Sequence, residues 1–390
     1  MRTIIIGAGL SGLSASMRVE KPLIIEKSHE IGGLLSSYES LNIEKFYHHF
    51  FEFDEELLSL LRTLRLMSRV RWYEVKTGFL VNGRIHPMNT PLEILRYPHL
   101  SFREKIRLAL LTRECRRMMR ERTLLREMDE VDARSWIIEK CGEALYEKFF
   151  RPMIEKKFGK DSERISASWL IGRVGMRSSR TLRGERVGYL KGGLSTLIDA
   201  LLERTDAEVL TGTQATSLEI SGGKKIIKTS RGTFECEKLL ITAPELVSKV
   251  RWQKTSCALI ATDEPLMEDI YWLNVYESSP IGAVIEHTNM VSPEEYGCHL
   301  TYLVSYTHVL SEEIVRKFIE KYFGVKKMRV IGIENSNYTA PIYETGYFKK
   351  IIPYERDGIY YAGMFSEENY PERSMNGSLL AGKKASELMG

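Results

Sequence analysis

An α/β protein is what this sequence predicts: a parallel sheet with helices, plus a second domain of antiparallel sheet carrying a helical insertion. Three observations predict it. The chain opens on an apolar strand, a glycine turn, a helix and a second strand. It closes on a strand ending in glycine, followed by a helix rich in small residues. Between these ends a basic helical stretch precedes short apolar runs separated by turns.

The first strand is Thr3-Ile4-Ile5-Ile6, an apolar, β-branched run suited to a strand buried on both faces. Gly7-Ala8-Gly9-Leu10-Ser11-Gly12 follows at once. Gly7 permits the tight turn, Gly9 lets a pyrophosphate approach the backbone, and Gly12 lets the helix lie close on the sheet. The helix from Leu10 points unpaired N–H groups at that anion. The second strand, Pro22-Leu23-Ile24-Ile25, ends in Glu26, about 20 residues on, as the dinucleotide fingerprint asks. A carboxylate there accepts both hydroxyls of an adenosine ribose and repels a 2′-phosphate, which favours NAD or FAD in a Rossmann-like domain.

The bulk numbers bound the rest. With 390 residues the chain has core for two or three domains, and at 43% hydrophobic and 28% charged it reads as globular. A net charge of +4 is too small to imply a polyanionic partner. Five scattered cysteines show no metal-ligand spacing, so no metal site is expected, and their odd number fits a reducing, cytoplasmic compartment. The strand begins almost at Met1, leaving no room for a signal peptide, and no apolar run is long enough to span a bilayer.

Ile31-Gly32-Gly33-Leu34-Leu35 adds a second pair of glycines just past the ribose acid. With it the chain resembles the flavin-containing amine oxidase superfamily. That group takes in monoamine and polyamine oxidases, protoporphyrinogen oxidase, carotenoid desaturases and, more distantly, UDP-galactopyranose mutase. Leu34 and Leu35 stand where the family carries an arginine, and the first helix is about one turn shorter than its habit. The resemblance implies FAD, and a chain divided into a discontinuous FAD-binding domain over 1–75, 186–256 and 332–390 and a substrate domain over 76–185 and 257–331, with its helical part at 90–185. It assigns the cofactor to Gly7, Gly9, Leu10, Ser11, Gly12, Glu26, Lys27, Gly32, Gly33 and Leu34, with backbone at Ala215 against the adenine and Ala243 in a strand-end Thr-Ala-Pro. At the other end, Gly358-Ile359-Tyr360-Tyr361-Ala362-Gly363 resembles the family's closing strand, and Arg373 to Ser378 opens the last helix. Gly363, Met364, Met375 and Asn376 complete the implied set. Met364 replaces an acid that binds the ribityl chain, with Glu367 or Glu368 as substitutes. Two glycine sites fitting one extended cofactor favour FAD over NAD.

The same resemblance places Tyr47-His48-His49 near the flavin ring, making His48 and His49 catalytic candidates; a core histidine and a surface one is the plainer alternative. Arg173, in Arg173-Val174-Gly175-Met176-Arg177, looks like a mutase arginine held near substrate, against the alternative of surface arginines. Glu286-His287-Thr288-Asn289 either faces the substrate cavity or forms a turn.

Elsewhere the pattern speaks locally. Asn82-Gly83 predicts a hairpin within 72–85. Glu55 to Leu66 and Ser311 to Phe323 predict helices. Leu100 to Val131 predicts basic helices, with Ile106, Leu110, Leu111, Met118, Met119 and Leu125 as apolar faces. Such a segment suits a solvated helix pair or peripheral contact with an anionic membrane; nucleic acid is set aside, because no aromatic stacking platform accompanies the charge.

Flavin chemistry needs a positioned substrate more than an acid–base triad. The first expectation is an FAD-dependent oxidoreductase passing hydride from a hydrophobic or amine-bearing small molecule to flavin N5. The second is a flavin-dependent nucleotide-sugar mutase with no net redox, using Tyr343 and Tyr347 on a diphosphate. The third is a non-catalytic flavin protein at a membrane surface.

Overall fold

The computed structural model describes residues 2–176 and 184–390. The chain forms two compact units. The first comprises 1–71, 188–251 and 350–390; the second comprises 72–187 and 252–349.

The first unit is built on a six-stranded sheet ordered Glu355–Arg356, Ile359–Tyr361, Lys238–Ile241, Thr3–Ile6, Leu23–Ile25, Glu208–Leu210. All neighbours are parallel except the outermost Glu355–Arg356. Thr3–Ile6 sits inside it and is buried throughout, as its unbroken apolar run requires. One face packs Ile4, Ile6, Leu23, Ile25, Leu239 and Ile241 with Ile227 and Cys236 of a three-stranded antiparallel sheet. The opening helix Leu10–Ser16 packs against the closing helix Met375–Met389 and the helix Ser195–Arg204. Glycine sets the first of these distances. A Cβ on Gly382 would lie 2.1 Å from Ser11 O, and one on Gly12 2.0 Å from Gly7 O. Ser11 Oγ and Ser14 Oγ then donate across to Ser378 O and Leu379 O, at 2.9 and 2.8 Å.

The second unit holds an eight-stranded sheet, seven strands of which follow one path: Arg329–Pro341, Trp252–Thr262, His299–Ser305, Ala283–Glu286, Ile270–Val275, Val70–Val81, Arg84–Pro87. It is not wholly antiparallel, since Ile270–Val275 runs parallel to Val70–Val81. The hairpin at Asn82-Gly83 is as expected, both residues taking positive φ of 52° and 71°. Helix Glu312–Phe323, capped by Ser311 onto Ile314 N, lays Val315, Phe318 and Ile319 on one face of the sheet, against Leu273, Val284 and Leu303. The helical part includes Phe102–Met118 and Ala167–Met176, which pack together.

The boundaries differ from those expected. The chain returns to the first unit at 350 rather than 332, because Arg329–Pro341 is an edge strand paired with Trp252–Thr262. It leaves at 71 rather than 75, and the middle segment runs 188–251 rather than 186–256.

Candidate functional site

Every residue that the sequence assigns to the cofactor lies in the first unit. The site begins at the turn after Thr3–Ile6. Gly7 takes φ +107°, and a Cβ there would strike Thr242 Oγ1 at 2.5 Å. Thr242 Oγ1 in turn donates to Ile6 O at 2.9 Å, so the Thr242-Ala243-Pro244 strand end is locked against the turn. Gly9 is different. Its backbone is extended, and a Cβ there meets nothing within 4 Å. No protein neighbour demands glycine at 9, so the space over its backbone is open.

Glu26 is buried beneath this turn. Its Oε2 accepts from Ala8 N at 2.7 Å and its Oε1 from Ser28 N at 2.8 Å. Each oxygen retains acceptor capacity for a ribose hydroxyl. Thr213 N donates to Glu26 O at 2.8 Å, which brings residues 213–215, Ala215 included, beside the acid. Gly32 pairs with Gly9 as an isolated parallel bridge, and Gly32 N donates to Ala8 O at 2.9 Å. Gly33 is exposed at φ +61°, and a Cβ on it would sit 3.3 Å from Gly9 Cα. The two glycine motifs thus form one open cradle. Leu34 is half-buried beside it. Ser11 is present but its hydroxyl already serves the closing helix, and Lys27 pairs with Glu245 at 2.9 Å.

The closing segment is ordered by Asn369. Its Nδ2 donates to Gly363 O at 3.0 Å and its Oδ1 accepts from Ser374 N at 2.9 Å. Ser374 caps the last helix by accepting from Gly377 N at 2.9 Å. Met375 is buried, whereas Asn376 Oδ1 accepts from Leu57 N, near the start of helix Glu55–Thr63. Met364 is half-buried. Of its two expected substitutes, Glu368 has Oε1 on Lys384 Nζ at 2.6 Å and Oε2 buried with no partner among the described residues. The orphaned carboxylate oxygen of Glu368 and the open cradle at Gly9 both fit a polar, extended cofactor.

His48 and His49 also lie in this unit. His48 Nδ1 lies 2.8 Å from Phe46 O, so it carries the proton and leaves the Nε2 lone pair available. Desolvation by the surrounding protein, then the charge of Arg373, push its pKa down to about 3. His49 stands edge-on to Phe51 at 5.2 Å. Arg173 falls in the second unit, on helix Ala167–Met176, and Arg177 lies outside the described residues.

Sequence reasoning missed two features. Arg373 reads in the sequence only as the start of the closing motif; its charge acts on a histidine far away in the chain, and no local pattern signals that. Glu44 is buried, accepting from Tyr189 Oη at 2.7 Å and Leu194 N at 2.5 Å, with its pKa pushed up to about 7 mainly by burial. In the second unit, Glu286-His287-Thr288-Asn289 is a buried turn. Glu286 accepts from Leu266 N and from the Thr288 and Thr301 hydroxyls, while His287 bonds Tyr296. Tyr343 and Tyr347 are buried, with ring centroids 4.9 Å apart.

Comparison with known proteins agrees with this geometry. The family model for flavin containing amine oxidoreductase matches residues 10–268. No curated protein sequence matches the chain. Among solved structures, a provisionally named protoporphyrinogen oxidase from Exiguobacterium sp. 255-15 aligns over 100% of this chain and 98% of its own, at TM-score 0.76 and 18% identity. A reduced UDP-galactopyranose mutase aligns over 100% and 95% at 0.73 and 16%. Cyclohexylamine oxidase from Brevibacterium oxydans IH-35A aligns over 100% and 98% at 0.72 and 13%. At these identities the structures attest the fold.

Proposed function

The chain belongs to the flavin containing amine oxidoreductase family, and from that premise we propose an FAD-dependent oxidoreductase that dehydrogenates a hydrophobic or amine-bearing small molecule. Its cofactor is a flavin, which when bound supplies the hydride acceptor, at N5. The observation that carries the reading is Gly9: a glycine that no protein atom requires, beside a buried carboxylate with acceptor capacity to spare. Glu26 would hold the adenosine ribose, the backbone of Gly9 and Gly33 would face the pyrophosphate, and the Ser374-capped helix would direct its N-terminus at the flavin.

His48 would act as a neutral acceptor. Its Nδ1–H is committed to Phe46 O, and burial with Arg373 keeps the second proton off, so Nε2 can accept from a substrate N–H or O–H. His49 shares that segment as a second contact. Arg173, on helix Ala167–Met176 of the second unit, is kept as a proposed catalytic residue. The amine class is supported by the names of two solved neighbours, cyclohexylamine oxidase and putrescine oxidase.

The test is spectroscopic. The purified protein should be yellow, and under anaerobic conditions its flavin absorbance should bleach on adding a substrate from a panel of amines and tetrapyrroles. A protein that stays colourless with excess FAD sinks the reading. A yellow protein that never bleaches, yet interconverts sugar-nucleotide rings after dithionite reduction, is an isomerase instead, the class named by the mutase neighbour.

A further inference from the structure

The basic segment, expected to be a solvated helix pair or a peripheral membrane contact, divides its residues between two faces. On helix Phe102–Met118 the residues Leu108, Leu111, Cys115 and Met118 turn inward and are buried. Phe102, Ile106 and Leu110 turn outward, and are 67%, 46% and 60% exposed. They are spaced by four residues, so they form one stripe. Along the helix that side continues as Arg113 and Arg117, with Arg120 just past the helix end, all exposed. Its acids are directed elsewhere: Glu104 accepts from Lys148 Nζ at 2.8 Å, and Glu114 pairs with Lys140 at 3.4 Å.

The preceding helix Pro91–Arg96 adds to the same surface. Leu92 and Leu95 are 55% and 51% exposed, and Lys105 Nζ donates to Leu95 O at 2.6 Å, tying the two helices side by side. Five large apolar side chains therefore share one exposed patch, next to a row of arginines. A patch of this kind is uncommon on a protein that touches only water.

We propose that this face docks on the surface of an anionic lipid bilayer, with Phe102, Ile106, Leu110, Leu92 and Leu95 entering the acyl boundary and Arg113, Arg117 and Arg120 at the headgroups. The charge decides the occupant. An apolar stripe continuous with a cationic row matches a bilayer interface, which is apolar below and negative above. Contact is peripheral: among the described residues no helix is long and apolar enough to cross a membrane.

The experiment is co-sedimentation of the holoprotein with vesicles of phosphatidylcholine alone or with added phosphatidylglycerol. Binding is expected to the anionic vesicles, to weaken with salt, and to fall about fivefold for each of Arg113→Ala and Arg117→Ala. Phe102→Ser with Ile106→Ser and Leu110→Ser should abolish it while flavin content stays at the parental level. No binding by the parent protein overturns the proposal. So does undiminished binding by the triple variant, or a parent that sediments as a dimer which that variant splits, since the face would then join two copies of this chain. If the triple variant loses its flavin, Leu92→Ser with Leu95→Ser, on the separate short helix, serves as the second variant, and undiminished binding there overturns the proposal equally.

Discussion

Glu44 is 1% exposed, and hydrogen bonds from Tyr189, Leu194 N and its own backbone offset part of the effect of its burial. Its pKa rises from the ordinary 4.5 to about 7, so between those values the folded protein holds a proton that the unfolded chain has released. Stability from this group is therefore full at low pH and declines as pH climbs through that window, by about 3 kcal/mol in all. Glu44→Gln removes the titration. The melting-temperature gap between variant and parent should move in the variant's favour from pH 5 to pH 8; a gap constant with pH refutes the assignment. His48 runs the opposite way. Its pKa is depressed from 6.5 to about 3, so its contribution is lost as pH falls through that interval. Arg373→Gln should raise the His48 pKa only part of the way back, because burial is the larger cause, and side-chain NMR titration of labelled histidine reads this directly. A His48 pKa unmoved by the substitution removes Arg373 from its surroundings. Glu26→Ala strips a charged acceptor from the ribose and strands Ala8 N and Ser28 N. FAD affinity should fall by about 1.5–3 kcal/mol, roughly ten- to a hundredfold, in a fluorescence titration of the apoprotein. Unchanged flavin occupancy would dismiss the ribose role.

At the level of elements, the contact between the opening and closing helices depends on a missing side chain. Gly382→Ala would place its Cβ 2.1 Å from Ser11 O, a backbone atom that cannot step aside. The helices must separate, stretching the Ser11 and Ser14 bonds to Ser378 O and Leu379 O. A loss of about 1–3 kcal/mol in urea denaturation is expected, with weaker flavin retention. An unaffected midpoint would mean that the helices give way freely. Part of this was legible in the sequence: the last helix stood out for its small residues, and Gly12 as the position that lets the first helix lie close on the sheet. So did Glu26, because its distance from the glycines is fixed by one strand–helix–strand unit, and the hairpin at Asn82-Gly83, because its turn is two residues long. Glu44 was silent, since its partners lie 145 and 150 residues away and no local period links them. The strand Arg329–Pro341 was missed for another reason. It is an edge, mostly half-buried, and its burial alternates only over 334–338, so most of it lacks the two-residue rhythm that marks a half-covered strand. The outward turn of Ile106 and Leu110 was equally hidden, because a hydrophobic residue on a helix is assumed to face inward until its neighbours are known.

For the whole molecule, the consequence lies in how the chain is divided. The first unit is drawn from three separate segments, and all the residues assigned to the cofactor fall within it, contributed by each of the three. The second unit has its own core, built on the sheet and helix Glu312–Phe323. A ligand that binds only folded protein raises the stability of the part that holds it, by about 2.7 kcal/mol at a hundredfold excess over its dissociation constant. For a unit of this size that corresponds to roughly 5–10 °C. Calorimetry of the protein stripped of flavin and then titrated with FAD should therefore show two endotherms. One should climb with FAD concentration by that amount, and the other should hold its temperature. Removing residues 350–390 should abolish the FAD-dependent shift, because it takes away the capped helix, Asn369 and the strand Ile359–Tyr361 together. A single endotherm that moves as one would show that the two units unfold together, and that flavin binding stabilises the second as much as the first. A pair in which neither responds to FAD would place the cofactor outside the three-segment unit altogether.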